Sequence, residues 1–157
     1  MEIPGLGPVV EDVDGYGLIS APVAVPVLGD DPRPVRLDEW YEDDPGKDDW
    51  HAAVRAFLAL DRQTLHDAAP AVFAYYREVA GSIAPEDDFP QIGEPAEVWT
   101  HVDFSRSVPA VERDGEHGRV YVSIEAECAW EPEHGLQIVL RDGATVTKVG
   151  PFDGDLG

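Results

Sequence analysis

A chain of 157 residues with 43% apolar and 27% charged side chains has the composition of one soluble globular domain rather than a disordered or fibrous one, and at this length it can bury roughly 68–70% of the surface its unfolded form exposes. Its net charge of -21, from 32 acidic and 11 basic residues, repels phosphate backbones and anionic membranes, which disfavours nucleic-acid binding through the backbone. Cys128 is the single cysteine, so an intramolecular disulfide and a cysteine zinc site are excluded and a reducing, cytoplasmic setting fits best.

The amino terminus carries no basic segment followed by an apolar run, and no stretch is long and apolar enough to span a bilayer; neither an export signal nor a membrane span is expected. Gly15-Tyr16-Gly17 lacks the third glycine and the following helix of a dinucleotide loop and reads as a turn. Tyr16 to Ser20 and Ala21 to Leu28 are strand-like, with Pro22 and Pro26 marking an edge. From Asp30 to Asp49, acids, prolines and Gly46 read as a solvated loop.

Trp50, Ala53, Val54, Phe57 and Leu58 recur at three- and four-residue spacing and predict an amphipathic helix capped by Asp48 or Asp49. Leu65, Ala69, Val72, Tyr76 and Val79 predict a second helix ending at Gly81. Because Pro70 is tolerated in a first turn, that helix is expected to begin near Asp67 after a short turn. Ala84 to Pro95 is a second acidic connector, and Pro95 opens a short helix over Glu94 to Thr100.

The remainder alternates. Val102 to Glu112 and Arg119 to Trp130 flank a hairpin loop at Arg113 to Gly118; on the second strand Val120, Val122, Ile124, Ala126, Cys128 and Trp130 form an apolar face, and Tyr121, Ser123, Glu125 and Glu127 a wet one. If Asp142-Gly143 is a two-residue turn, Arg141 pairs with Ala144, Val139 with Val146 and Gln137 with Lys148. These elements predict an α+β fold, one domain over residues 1–157: a mostly antiparallel sheet of about five or six strands, with two main helices inserted after the first hairpin and packed on one face.

Cys128-Ala129-Trp130-Glu131-Pro132-Glu133-His134-Gly135-Leu136-Gln137-Ile138-Val139-Leu140-Arg141-Asp142-Gly143, followed by Lys148-Val149-Gly150-Pro151-Phe152-Asp153-Gly154, resembles the carboxy-terminal signature of an uncharacterised bacterial family catalogued as a domain of unknown function. Gly17-Leu18-Ile19-Ser20, Phe57 to Asp61, Tyr75-Tyr76 and Val98-Trp99 are similar as well, so the likeness spans nearly the whole chain. The resemblance implies a fold and no catalytic residues; the association of such small acidic domains with toxin and immunity loci implies an immunity-type or regulatory role. Asp155 and Gly157 depart from the His and the Thr or Asn that the resemblance leads one to expect, which argues against a metal-chelating tail.

The chain carries no complete enzyme motif. The five histidines, His51, His66, His101, His117 and His134, are dispersed, and Trp130 stands where an inverted zincin motif needs histidine. Cys128 falls on the apolar parity of its strand, as an inert thiol does, and Glu125 and Glu127 are two wet-face carboxylates before they are an acid and base pair. Trp130 with Glu133, His134 and Gly135 reads either as a core anchor with a tight connection or as a recognition loop. The candidate surface is therefore Glu125, Glu127, Trp130, Glu133, His134 and Asp153, with no catalytic residue, metal or cofactor expected. The function expected is non-enzymatic binding of a basic protein partner, without nucleic acid or membrane. A host with an acidic proteome, where Asp and Glu simply keep the protein soluble, is the simpler account of the charge, and a small metal-dependent hydrolase with a His/carboxylate site is the alternative function.

Overall fold

The alternation read in the second half of the chain builds the middle of a sheet. A computed structural model of the protein describes residues 1–13, 15, 17–83, 89–115 and 118–157. The expectations for Tyr16, for residues 84–88 with Glu86, Asp87 and Asp88, and for Glu116 and His117 lie outside the described residues. In chain order the strands are β1 (Glu2–Ile3), β2 (Gly7–Glu11), β3 (Leu18–Ser20), β4 (Arg36–Leu37), β5 (Val102–Asp103), β6 (Ala110–Arg113), β7 (Val120–Cys128), β8 (Leu136–Arg141) and β9 (Thr145–Gly150). Between β4 and β5 lie the helices α1 (Lys47–Ala59) and α2 (Arg62–Ser82) and a 3-10 helix over Pro95–His101.

The strands run β1-β2-β3-β4-β6-β7-β8-β9 across one sheet, with β5 paired to β7 as well. All pairs are antiparallel except β4 with β6. The sheet thus holds more strands than the five or six expected; β1, β4 and β5 are two residues each, too short for a period of two to show in sequence. Register lines up one apolar row across it: Leu18, Leu37, Val111, Val122, Leu140 and Val146. On the opposite face the row reads Ile19, Arg36, Ala110, Ser123, Val139 and Lys148.

Both helices bury their stripes in the core that holds the first row: Trp50, Ala53, Val54 and Phe57 from α1, and Leu65, Ala69, Val72, Tyr75 and Tyr76 from α2. Each fully buried large side chain contributes about 1.5–3 kcal/mol of transfer free energy. The helix starts differ from expectation. Gly46 is the N-cap of α1, with Asp48 and Asp49 in its first turn, where carboxylates favour the positive end of the helix dipole. Asp61, not Asp67, caps α2 by accepting from Gln63 N–H at 2.9 Å, and Pro70 lies inside one continuous helix. The apolar stripe from Leu65 onward outweighs the hydrogen bond that Pro70 removes.

The Asp142-Gly143 turn is also longer than expected. Arg141 pairs with Thr145 and Leu140 with Val146, and after a bulge Val139 pairs with Lys148 and Ile138 with Val149. Val146 and Val149, three residues apart, both pack on the core; only an extra residue between them lets a strand turn both to one face. Gly143 (φ +74°) is required here, because a Cβ would stand 2.1 Å from the Ala53 carbonyl oxygen of α1.

Asp44 ties α1 to the sheet. Its Oδ2 accepts from Trp50 Nε1 at 2.8 Å and from Arg113 Nε at 2.5 Å, and its Oδ1 accepts from Gly46 N–H at 2.7 Å. Burial pushes this carboxyl up, but the Arg113, Trp50 and Gly46 donors outweigh it and hold the group below the usual carboxylate range. A depressed native pKa gives stability that is present above the unfolded value and lost as pH falls through the folded one. Asp44→Asn is therefore expected to cost about 1–3 kcal/mol near pH 7, with the difference from wild type shrinking below about pH 4; urea unfolding at both pH values measures it.

Candidate functional site

Two connections rise over the polar face of the sheet and make a cleft there. The first is the excursion between β5 and β6. The expected single strand from Val102 to Glu112 is broken: Val102 and Asp103 pair with Cys128 and Glu127, and pairing resumes at Ala110 with Ser123. Residues 104–109 leave the edge of β7, and Ser107 Oγ takes up the edge by donating to the Glu125 carbonyl at 2.5 Å. Arg33, buried at 8% exposure, pins the loop from below; its Nη1 donates to the carbonyls of Phe104 at 2.6 Å and Ser107 at 3.0 Å. Burial lowers the Arg33 pKa, and the Asp31 charge opposes that shift.

The second wall is the turn from Trp130 to Gly135. Gly135 (φ +67°) passes so close to β7 that a Cβ would lie 2.5 Å from the Ala126 carbonyl oxygen, so only glycine fits without a backbone shift. Tyr75 Oη donates to the Gly135 carbonyl at 2.6 Å, and Gly135 N–H donates to the Glu131 carbonyl at 2.9 Å. Trp130 lies beneath the turn, 3% exposed, edge-on to the rings of both Tyr75 and Tyr76 at 5.7 Å.

Between these walls lies a cleft of about 430 Å³. Glu125, Glu127, Glu133 and His134 all border it, together with Asp103 and Arg106. Four of the six residues named from sequence thus share one hollow. The other two do not. Trp130 is the core anchor of the two readings rather than part of the surface, because just past the end of β7 it keeps the strand's apolar parity and turns inward against Tyr75 and Tyr76 of α2. Asp153 borders another hollow with Glu131 and Phe152, which touches the cleft only through His134, and it is held by Lys148 Nζ at 2.5 Å, which with the Asp155 N–H draws its pKa down. The wet face of β7 is only half wet: Glu125 and Glu127 are exposed, whereas Tyr121 and Ser123 are buried. Gln137 and the tail account for Ser123, since Gln137 Nε2 donates to Ser123 Oγ at 2.9 Å and to the Asp155 carbonyl at 3.2 Å.

A second hollow of about 270 Å³ adjoins the first and shares Arg36, Val108 and Glu125 with it. It brings in Asp38 and Glu112, neither of which sequence reading singled out. Burial, and then the charge of Asp38, raises the Glu112 pKa. Arg36 is turned to Asp12, with Nε 2.6 Å from Oδ2. The signal for these residues was present in Val35-Arg36-Leu37-Asp38, where buried and half-buried positions alternate inside a stretch read as loop.

Cys128 is buried, and burial pushes its thiol up to about 11, so it is protonated near neutrality and a poor nucleophile. Among the described residues, Glu131, Glu133 and His134 bring one donor atom each within 4.8 Å of one another; His101, Asp103, Glu125 and Glu127 are outside that group. No described helix is long and apolar enough to cross a membrane.

Fold and site together define an acidic α+β protein with a helix layer on one sheet face and a charged groove on the other. The chain belongs to the family described as Domain of unknown function (DUF6985), which it matches over residues 5–156. No curated protein and no solved structure matches it.

Arg33 is the internal support of one wall. Arg33→Met, which keeps length and removes the donors, is expected to destabilise the protein by about 1–3 kcal/mol and to speed amide exchange at residues 104–109 before that of β7 and β8; exchange mass spectrometry resolves the two.

Proposed function

We propose that the protein is a non-enzymatic binding protein of the immunity or regulatory type, acting in the cytoplasm, whose acidic sheet face engages a basic protein partner. The observation that carries this reading is the convergence of Glu125 and Glu127, from β7, with Glu133, from the following turn, on one cleft. Exposed carboxylates on rigid, hydrogen-bonded walls steer a partner of opposite charge and fix its register without needing to move. The overall charge of -21 adds long-range attraction, which salt screens within about 8 Å at physiological ionic strength.

A second reading, a metal-dependent hydrolase, draws on Glu131, Glu133 and His134, whose donor atoms lie within 4.8 Å of one another. A carboxylate-rich set with one imidazole suits a divalent ion, and His134 is exposed at 59% of its side chain, open to solvent and substrate.

One preparation tests both. The tagged protein is expected to capture a single basic partner from its native lysate and to release it as salt is raised. Changing Glu125, Glu127 and Glu133 together to Gln weakens that complex by about 10–100-fold. An unchanged affinity contradicts the placement of the surface, and stoichiometric divalent metal that is lost on His134→Ala moves the reading to the hydrolase.

A further inference from the structure

The hollow that meets the cleft at His134 differs from it in kind. It holds about 330 Å³ where the end of α2, the turn after β7 and the tail after β9 come together. Tyr75, Glu78, Val79 and Ser82 border it, at the three- and four-residue spacing that puts them on one flank of α2. Pro151 and Phe152 of the tail border it as well. Its apolar surface is the ring of the buried Tyr75, the half-buried Val79 and Phe152, and the exposed Pro151. Concave apolar surface open to water is the form that binding pockets take.

The walls are already held in place. Phe152 N–H donates to the His134 carbonyl at 3.2 Å and joins tail to turn. Tyr75 Oη donates to the Gly135 carbonyl, joining turn to helix, and Lys148 ties the tail through Asp153. An occupant enters a preformed hollow and does not have to order its walls.

The charges around the hollow specify the occupant. Glu78, Glu131 and Asp153 border it, and no lysine or arginine is among the described residues that do. Lys148 offsets Asp153 alone, and Glu131 has only the His134 ring, 3.5 Å away. Glu78, exposed on α2, forms no ion pair among the described residues. An apolar hollow in a negative frame complements an apolar side chain flanked by positive ones. The adjoining cleft offers exposed carboxylates, which steer and register a partner but add little affinity in water. An apolar anchor supplies what they lack, since the residues that dominate an interface are buried side chains ringed by polar contacts.

We propose that this hollow seats one large apolar side chain, of leucine or phenylalanine size, that projects from the basic partner between lysine or arginine residues. This deepens the binding reading above and rests on it. The flanking cations lie against Glu78 and Glu131, and the cleft takes the basic surface beyond them.

The test is a titration of the full-length, isotope-labelled protein, followed by amide chemical shifts in low-salt buffer with a chelator. The probes are capped Lys-Lys-Leu-Lys-Lys, its analogue Lys-Lys-Ala-Lys-Lys and the neutral Gln-Gln-Leu-Gln-Gln. The leucine peptide is expected to shift Val79, Ser82, His134 and Phe152. At those residues the alanine analogue should bind about tenfold more weakly, and the neutral analogue several-fold more weakly. Ser82→Tyr, which fills the hollow from an exposed position, and Glu78→Lys, which reverses one charge beside it, are each expected to weaken the leucine peptide about fivefold or more without altering the melting transition. Equal affinity for the alanine or the neutral analogue, shifts confined to other surfaces, no shift at all, or indifference to both variants overturns the anchor hollow. Failure here is distinct from failure of the wider reading: a partner complex that weakens when Glu125, Glu127 and Glu133 are changed together, yet ignores Ser82→Tyr, keeps the acidic face and removes the anchor.

Discussion

A sheet with helices on only one side has one dry face, and the other must satisfy its polar groups without a second layer. In this protein α1 and α2 bury the row from Leu18 to Val146, and the opposite row contains Arg36, Ser123 and Lys148. The tail after β9 covers part of that second face. Lys148 Nζ reaches both Asp153 and the Asp155 carbonyl, and Gln137 reaches Asp155 from below. What the tail leaves uncovered is the groove.

Its walls are stiff for identifiable reasons. Residues 104–109 would be an ordinary surface excursion if Arg33 did not bind two of their carbonyls from beneath. Burying a guanidinium costs desolvation, and two carbonyl partners offset only part of it. Gly135 fixes the other wall by close approach to Ala126, with Tyr75 holding its carbonyl. Burial drives the Tyr75 hydroxyl's pKa strongly upward, so it stays a donor at every physiological pH. The carboxylates at the lip project from this rigid base; ordering them on binding therefore costs side-chain entropy and little backbone entropy.

The sequence was most legible where one period ran long. The stripe from Trp50 to Phe57, the stripe from Leu65 to Tyr76 and the alternation from Val120 to Cys128 each repeat often enough to specify their faces. Glu125, Glu127, Glu133 and His134 were found together because the turn after β7 is short and folds back over that strand. Legibility failed where tertiary packing overrode local rules. The β8-β9 register depends on Val146 and Val149 sharing a face, which a simple hairpin forbids. Pro70 suggested a break that the helix's buried stripe overrides. Trp130 read either as a core anchor or as part of a recognition loop, and the structure takes the first: two residues past the end of β7 it keeps the strand's apolar parity and packs against Tyr75 and Tyr76 of α2. Asp38 and Glu112 meet only through the parallel pairing of β4 and β6, a contact between segments some seventy residues apart that local patterning cannot reveal.

Amide hydrogen exchange on the protein alone and bound to its captured basic partner addresses the central claim, that the polar face of the sheet is the working surface. A partner seated in the groove protects residues 36–38, 103–112, 123–127 and 132–135 and leaves the outward sides of α1 and α2 unchanged. Protection confined to the helices, or to the β1-β2 edge, would place the function elsewhere and contradict the proposal.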